Sequence, residues 1–450
     1  MKEVSMDSMK RFVDKIRGIG WGASRDESIV KAREVLSELN RFLYARNDSL
    51  GTLQVLGQDV SYFSEFHKFW ETHHEEILGV SIDDKACAQV AEVLHGIYGQ
   101  TNGQAFRELY DTCGLDNAAV CRVRLLTANQ DFRGSRKFSD LAKLYDSDPT
   151  IFDVDKIIDN PDRFLADIGV SGLSQNDKRS RFARQFALFV REHGGTPVGL
   201  AEWYRNDLTK LREAMISCEG AGYGNKKTDM VIRDMVVHGI WPNVRGFENI
   251  DVASDINTIG VALRTGILKT AIPLLSSFLD EFCHQYSFVD RMNASAWRRV
   301  WEKWRELYPS DDIASPCLLD YFIYEVVGRQ FCRKTLAIFQ CEHGHVFRWH
   351  SGQNKTCQIC FKHGQKHEKA FLVNKVLPCE DAEGFMAIEK TDYVRSGQAP
   401  AGLKQCPFKA ICDAYGKKGL QPPKSISILG QTGWTSAYAY EGEGGGGLMA

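Results

Sequence analysis

Two glycines, a lysine and a more distant aspartate are the residues of this chain whose types and spacing best suit chemistry on a phosphate-bearing substrate. The run from Gly222 to Lys226 reads Gly-Tyr-Gly-Asn-Lys, so backbone N–H groups in this turn can approach a phosphate closely. Helical spacing predicts a helix over Lys227–Val237, which places the turn at a helix N-terminus, where anions are favoured. Asp255 follows after one helix and a loop. An amine and a carboxylate beside a bound nucleic-acid backbone would suit attack on a sugar.

Composition limits the class of protein that could carry these residues. The chain has 450 residues, of which 43% are hydrophobic and 25% charged, as expected for two or three globular domains. Its net charge of -2 does not indicate a non-specific polyanion binder, so a nucleic-acid surface would have to be a local basic patch. No apolar run reaches transmembrane length, and Met1–Leu43 is too charged for a secretory signal. We therefore expect no membrane contact and a cytoplasmic location, nucleoid-associated in a prokaryote.

Helical periodicity dominates the chain up to about residue 270, and the predicted fold class is mainly α. After Leu336 the pattern changes to short β-like runs separated by Cys, His and Gly. Three tryptophans, Trp297, Trp301 and Trp304, recur at helical spacing and are expected to lie in the core rather than to stack bases. The clearest predicted helices are Val30–Tyr44, Ala86–Tyr98, Arg179–Glu192, Asp207–Ile216, Val261–Phe282, Ala296–Leu307 and Leu318–Arg333.

Cysteines are concentrated in the last third of the chain. In a reducing compartment the 13 cysteines are not expected to form a disulfide framework, so a cluster of them indicates metal binding. Cys357 and Cys360 form a Cys-x2-Cys pair, and Cys341 lies upstream with His343 and His345. Two such pairs can complete a tetrahedral structural zinc site. The remaining cysteines of this region are Cys332, Cys379, Cys406 and Cys412.

Three further segments, taken with their order and spacing, resemble a known family. In chain order they are Leu125–Gln130; Leu165–Val170 with the basic residues Lys178, Arg179, Arg181 and Arg184; and the glycine hairpin with Lys226, then Val252–Asp255 and Arg264–Gly266. Together they resemble the helix-hairpin-helix (HhH-GPD) DNA glycosylase superfamily, most closely its endonuclease III branch. The resemblance covers roughly residues 118–270.

The chain departs from the family pattern at several positions. Asn129 stands where the family usually has glutamine, and Asn257 stands where it has histidine. Gly220 and Ala221 replace the usual Leu-Pro before the hairpin. The register of Arg264 places the family's aspartate at Asp255 rather than at Asp251.

The resemblance implies a two-lobed helical fold and an enzyme that flips a damaged or modified base of double-stranded DNA and excises it. Lys226 would attack the sugar C1′ and give a Schiff base, with possible strand cleavage as an AP lyase. Asp255 would stabilise the positive charge that develops on the sugar. Alternatively, Lys226 is a phosphate contact and Asp255 alone activates water. The expected DNA contacts are Asn129, Gln130, Gly222, Gly224, Asn225 and Lys227.

Two of these expectations have an ordinary structural alternative. Asn129 and Gln130 carry amides that suit hydrogen bonds to a base, but they would equally suit a polar helix terminus. Asp255 could also be the N-cap of a helix that begins near Ile256, with or without a catalytic role.

The cysteine-rich end resembles two metal modules. The first resembles a zinc ribbon with ligands Cys341, His345, Cys357 and Cys360, where the family pattern favours His345 over His343. The second resembles the iron–sulfur loop of endonuclease III relatives, interrupted by the ribbon, and implies a [4Fe–4S] cluster. Its ligands would be Cys332, Cys379, Cys406 and Cys412. A second zinc, or no metal with Cys332 and Cys379 merely buried, are the alternatives.

Two other functions are compatible with the sequence. One is a non-catalytic sensor of DNA structure or damage on the same scaffold, and the weaker one is an RNA-directed zinc-ribbon protein. The expected domains are an N-terminal helical region (1–115), the glycosylase core (116–270), C-terminal helices of the second lobe (271–335), the zinc ribbon (336–372), the iron–sulfur region (373–430) and a flexible tail (431–450).

Overall fold

The computed structural model describes residues 6–20, 31, 34, 51–55, 58–62, 75, 78–107, 109–131, 136–172, 175–271, 283–332, 336–340, 346–349, 372–377 and 406–412. Over these residues the protein is mainly helical, which confirms the predicted fold class. Within the described residues, no helix has the length and apolar character needed to cross a membrane.

Most of the predicted helices that fall within the described residues are found. The α-helices are α1 (Met6–Ile19), α2 (Asp84–Thr101), α3 (Asn117–Ala128), α4 (Phe138–Ser147), α5 (Val154–Asp159), α6 (Pro161–Asp167), α7 (Asn176–Glu192), α8 (Leu200–Trp203), α9 (Leu208–Ser217), α10 (Asn225–Val237), α11 (Ile256–Thr265) and α12 (Cys283–Leu307). The strands are β1 (Gly51–Val55), β2 (Gln58–Tyr62), β3 (Ser81–Ile82), β4 (Leu268–Lys269), β5 (Leu336–Gln340), β6 (Val346–Trp349) and β7 (Leu372–Leu377). A π-helix spans Phe322–Cys332.

The chain divides into two compact units. The first contains residues 1–97, 255–303 and 323–450, and the second contains residues 98–254 and 304–322. The second unit holds α3 to α10 around a core of fully buried side chains such as Leu125, Phe186, Leu211 and Ile232. Helices α3 and α9 begin where the sequence supplies an acidic cap: the carboxylates of Asp116 and Asp207 accept from the third backbone N–H of each helix.

A network of four charged side chains lies in the interior of the second unit, where Asp234, Arg233 and Asp320 are buried and Arg124 is partly buried. Asp234 of α10 accepts from Arg124 Nε at 2.9 Å and from Arg233 Nε at 3.0 Å, while Arg233 also pairs with Asp320. Burial acts to raise the pKa of Asp234, but the charges of Arg233 and Arg124 outweigh it and lower that pKa below its ordinary value. These ion pairs join α3, α10 and the segment around Asp320, and they therefore restrict how the three elements can move relative to one another.

In the first unit, the helix predicted over Val261–Phe282 is wrong from Gly266 to Ala271, and residues 272–282 lie outside the described part of the chain. Helix α11 ends at Thr265 because Gly266 caps it with a φ of 77°, a conformation that glycine adopts without strain. Strand β4 follows at once and pairs with β3.

The tryptophan prediction is confirmed, since Trp297 and Trp304 are 0% exposed and Trp301 is 5% exposed.

Two sheets lie where the sequence suggested helices or short strands. The antiparallel pair β1–β2 falls in the region expected to be helical, so that expectation was wrong there. The three-stranded antiparallel sheet β6-β5-β7 agrees with the β-like runs after Leu336. Apart from residues 31 and 34, the predicted helix Val30–Tyr44 lies outside the described residues.

We predict that Asp234→Asn lowers the free energy of unfolding by about 3–5 kcal/mol, because it leaves two buried guanidinium groups without their shared carboxylate. Asp155→Asn is the matched control: Asp155 is exposed and lies 3.7 Å from exposed Arg191, so its loss should cost less than about 0.5 kcal/mol. Urea unfolding measures both. The folded-state pKa of Asp234 is lowered, so its contribution is present above roughly pH 4 and is lost as the pH falls further. A cost below about 1 kcal/mol for Asp234→Asn would contradict the prediction.

Candidate functional site

The glycine hairpin joins α9 to α10 and is anchored in the core of the second unit. Gly222 has a φ of 75°, and a Cβ on it would overlap the Phe182 ring of α7. Tyr223 is 3% exposed, packs its ring 4.3 Å from that of Phe186, and donates its hydroxyl proton to the Leu125 carbonyl. The two residues therefore have different tasks. Gly222 lets the turn lie against α7, and the Tyr223 side chain enters the core.

Ion pairing between α9 and α10 fixes the two helices on either side of the hairpin. Arg212 of α9 binds both carboxylate oxygens of buried Asp229 in α10, with NH2 2.9 Å from Oδ2. The same guanidinium lies 3.4 Å from the side-chain oxygen of Asn225. A bidentate contact of this kind restrains both distance and rotation.

The hairpin tip and the start of α10 face solvent. Gly224, Asn225 and Lys226 are all exposed, and Gly224 is the N-cap, with no side-chain group capping the helix. The first N–H groups of α10 are therefore open to an anion. Exposed Arg181 lies along the same hairpin, because a Cβ on Gly220 would lie 3.6 Å from its Cδ.

Further positive charge surrounds the hairpin. Lys178 is exposed and its amine lies 5.4 Å from the centre of the Phe182 ring, against which Gly222 packs. Together Lys178, Arg181 and Lys226 form what we call the hairpin patch. A local basic surface therefore exists in a chain whose net charge is -2.

Lys227 differs from Lys226 in its surroundings. It is half-buried, and its Nζ donates to the Asn129 backbone carbonyl at 3.1 Å. Burial lowers the pKa of Lys227 to about 8, with smaller contributions in the same direction from Lys226, Arg179 and Lys178 and an opposing one from the charge of Asp131. Near neutral pH a fraction of this amine is uncharged, which the sequence pattern alone did not indicate.

Asn129 and Gln130 occupy buried positions at the end of α3. The Asn129 amide donates to the Phe182 carbonyl at 3.0 Å and to the Ala221 carbonyl at 3.1 Å, and its oxygen accepts from Gln130. Gln130 Nε2 also donates to the Arg179 carbonyl at 3.2 Å. These contacts favour the second of the two interpretations, a polar helix terminus that holds α7 and the hairpin. Contact of these amides with DNA stays a prediction.

Asp255 is the N-cap of α11, as the alternative interpretation expected. It is 6% exposed. Its Oδ1 accepts from the backbone N–H groups of Asn257 and Thr258, each at 2.8 Å, and Thr258 completes a capping box by accepting the Asp255 N–H at 2.9 Å. Its Oδ2 accepts from the side-chain amide of Asn257 at 2.7 Å. The sequence signal for this position was the spacing to Arg264; nothing in it pointed to Asn257 as a partner.

The two predicted catalytic residues belong to different units. Lys226 lies in the second unit and Asp255 in the first. Each is therefore characterised by the contacts within its own unit.

Most of the predicted metal ligands fall outside the described residues: Cys341, His343, His345, Cys357, Cys360 and Cys379. Cys332 is described only as the last residue of the π-helix. Cys406 and Cys412 are buried at the two ends of one turn, in which the Cys412 N–H donates to the Phe408 carbonyl at 2.8 Å. Among the residues that the structure describes, no group of three or more metal-binding side chains occurs.

No protein-family model matches the chain, and no curated protein matches it either.

We predict that Gly222→Ala lowers the stability of the fold strongly, whereas Gly224→Ala leaves it nearly unchanged. Gly222→Ala should lower the free energy of unfolding by about 2 kcal/mol or more, because it combines a left-handed backbone with overlap on the Phe182 ring. Gly224→Ala, with a φ of -101° and nothing within 4 Å of an added Cβ, should leave stability within about 0.5 kcal/mol. Thermal unfolding measures both, and equal effects would show that the turn is not anchored as described.

Proposed function

We propose that the protein is a DNA glycosylase, with possible AP-lyase activity, that flips and excises a damaged or modified base from double-stranded DNA. The proposal takes up the resemblance to the helix-hairpin-helix glycosylase superfamily. The observation that carries it is the hairpin patch, where the start of α10, which has no side-chain cap, lies with Lys178, Arg181 and Lys226 around one anchored turn. Such a surface suits a phosphate backbone.

In this proposal Lys226 is the nucleophile. At an abasic site, a neutral lysine amine adds to the C1′ aldehyde, water leaves, and an iminium joins the protein to the sugar. At an intact nucleotide the same attack on C1′ breaks the glycosidic bond, and the departing base takes up a proton. Gly222, Gly224, Asn225 and Lys227 would help to hold the backbone while this occurs.

Asp255 would act on the charge that develops at the sugar. A carboxylate near C1′ stabilises the positive charge of the transition state as the base departs. In a monofunctional enzyme it would activate water instead. Three N–H groups donate to its two oxygens and hold the carboxylate in one orientation.

Zinc and a [4Fe–4S] cluster are part of the proposal. The residues that would hold the zinc are Cys341, His345, Cys357 and Cys360, which flank strand β6 in the sequence. Buried Cys406 and Cys412 suit a soft-metal cluster that would also use Cys332 and Cys379. When bound, the zinc and the cluster would each cross-link chain segments that are well separated in the sequence.

A non-catalytic DNA-structure or damage sensor is the second candidate. It is favoured by the hydrogen bonds of Asp255, whose two oxygens already accept three N–H groups. In that case the hairpin patch would bind DNA without chemistry.

Borohydride trapping on duplex DNA with abasic sites and a panel of altered bases tests the enzyme. We expect a covalent adduct that Lys226→Ala abolishes and Lys227→Met retains. Lys227 is the matched neighbour because its lowered pKa leaves about a tenth of it neutral at pH 7. If the adduct is kept in Lys226→Ala and lost in Lys227→Met, then Lys227 is the nucleophile and Lys226 is not.

Two further outcomes separate the alternatives. Excision without an adduct, abolished by Asp255→Asn, would indicate a monofunctional glycosylase. Tight DNA binding with neither excision nor adduct would reject the enzyme and favour the sensor.

Metal analysis of anaerobically purified protein tests the cofactors. We predict that Cys357→Ser loses zinc and keeps iron, whereas Cys412→Ser loses iron and its visible charge-transfer absorption and keeps zinc. Cys113→Ser, at a half-exposed position of the second unit, should change neither. Zinc in place of iron at the second site would identify a second zinc, and absence of both metals would reject the metal modules.

A further inference from the structure

The Asp255 carboxylate is held by more than a helix cap. Capping requires one oxygen, and Oδ1 supplies it by accepting from the backbone N–H groups of Asn257 and Thr258. The second oxygen, Oδ2, accepts from the Asn257 side chain at 2.7 Å. Since the terminal torsion of an aspartate is soft, this second contact fixes the plane of the carboxylate.

Asn257 is itself held in place from two sides. It is 8% exposed, and Gly328 of the π-helix approaches it so closely that an added Cβ would lie 2.8 Å from the Asn257 Cβ. The same added Cβ would lie 3.0 Å from the Ile323 carbonyl. Neither atom is the end of a flexible side chain, so only glycine fits here.

The first turn of α11 is also held by contacts with α12. Thr258, which caps Asp255 reciprocally, has its hydroxyl hydrogen-bonded by the Asn293 amide at 3.1 Å. Its carbonyl accepts from Trp297 Nε1 at 3.4 Å. Both Asn293 and Trp297 are 0% exposed. The residue that completes the cap is therefore hydrogen-bonded to two buried side chains of α12.

We propose that Asn257 is a positioning residue for Asp255, and that Gly328 is the glycine that allows the π-helix to hold Asn257 there. The proposal rests on the proposed function, since positioning has a purpose only if the carboxylate acts on the sugar. Asn257 touches no substrate atom in this scheme; it sets the orientation of Asp255 and donates to the charged form. Within the described residues, the hydrogen bonds to the Asp255 carboxylate come from the backbone and side chain of Asn257 and from the backbone of Thr258, while the Asn293 amide and the Trp297 indole contact Thr258.

Asn257→Asp is the decisive variant, because it keeps the shape of the side chain and replaces the N–H donor by a second carboxylate. Two carboxylates at this distance cannot both ionise, so one of the pair takes up a proton near neutral pH. We expect the excision rate at pH 7 to fall at least about tenfold, and the acidic limb of the pH–rate profile to move up by about one unit or more. DNA affinity should stay within about twofold, because Asn257 is not one of the residues of the hairpin patch.

Asn249→Asp is the matched control. Asn249 is exposed, its amide donates to Thr209 Oγ1 at 3.0 Å, and it lies in the other unit. The same change of charge there should leave both the rate and the pH profile unchanged. A wild-type pH–rate profile in Asn257→Asp would overturn the proposal.

A second measurement needs no substrate. In Asn257→Asp the folded pair holds a proton that two unfolded carboxylates release near pH 4, so its stability relative to wild type should be greatest below pH 4 and fall as the pH rises to 8. Urea unfolding at several pH values measures this difference. If wild type excises nothing but the pH-dependent difference is present, the contact is supported and the proposed function fails. If the difference is absent, the inference fails whatever the activity.

Gly328→Ala extends the test to the π-helix. The added methyl should displace Asn257, lowering stability by an amount that thermal unfolding resolves and lowering the excision rate without a loss of DNA affinity. Gly260→Ala is the control in the same helix as Asn257: nothing lies within 4 Å of its added Cβ, so it should retain activity and raise helix stability slightly. Equal behaviour of the two variants would contradict the role of Gly328.

Discussion

The hairpin of the second unit depends on the buried side-chain amide of Asn129. Its two N–H groups reach the carbonyls of Phe182 in α7 and Ala221 in the hairpin, so one side chain joins the end of α3 to both. A buried donor left without a partner costs about 1–3 kcal/mol, which makes this arrangement hard to rearrange. Gly222 and Tyr223 can then seat the turn against α7, and the start of α10 remains exposed.

Charge is separated in the same unit according to burial. Inside, Asp234 lies between Arg124 and Arg233, so the core carries compensated charge. Outside, Lys178, Arg181 and Lys226 surround the hairpin. The near-neutral net charge of the chain therefore conceals a local basic surface, which is the only form in which this composition could offer a phosphate-binding site.

Prediction from sequence succeeded where a local signal decides the structure. The helix predicted over Lys227–Val237 was found as Asn225–Val237, and the helix predicted over Asp207–Ile216 was found as Leu208–Ser217, with Asp207 as its N-cap. Prediction failed at Gly266, because the apolar pattern continues past the helix end and the strand pairing of Leu268–Lys269 with β3 comes from distant residues. The β1–β2 pair was missed although its partners lie close in the chain, such as Val55↔Gln58, because cross-strand pairing is not visible in a helical period.

By itself the sequence determined the mainly helical class, the glycine hairpin followed by Lys226, and Asp255 as a helix cap, since each depends on residues within a few positions of one another. Only the tertiary structure decided that Lys227 is half-buried, that Asn129 and Gln130 turn inward, and that Asn257 and Gly328 hold the Asp255 carboxylate. Burial and hydrogen-bond partners depend on elements far apart in the chain, whereas side-chain type and spacing are local. For this reason the candidate site could be named from the sequence, but its electrostatics and its supports could not.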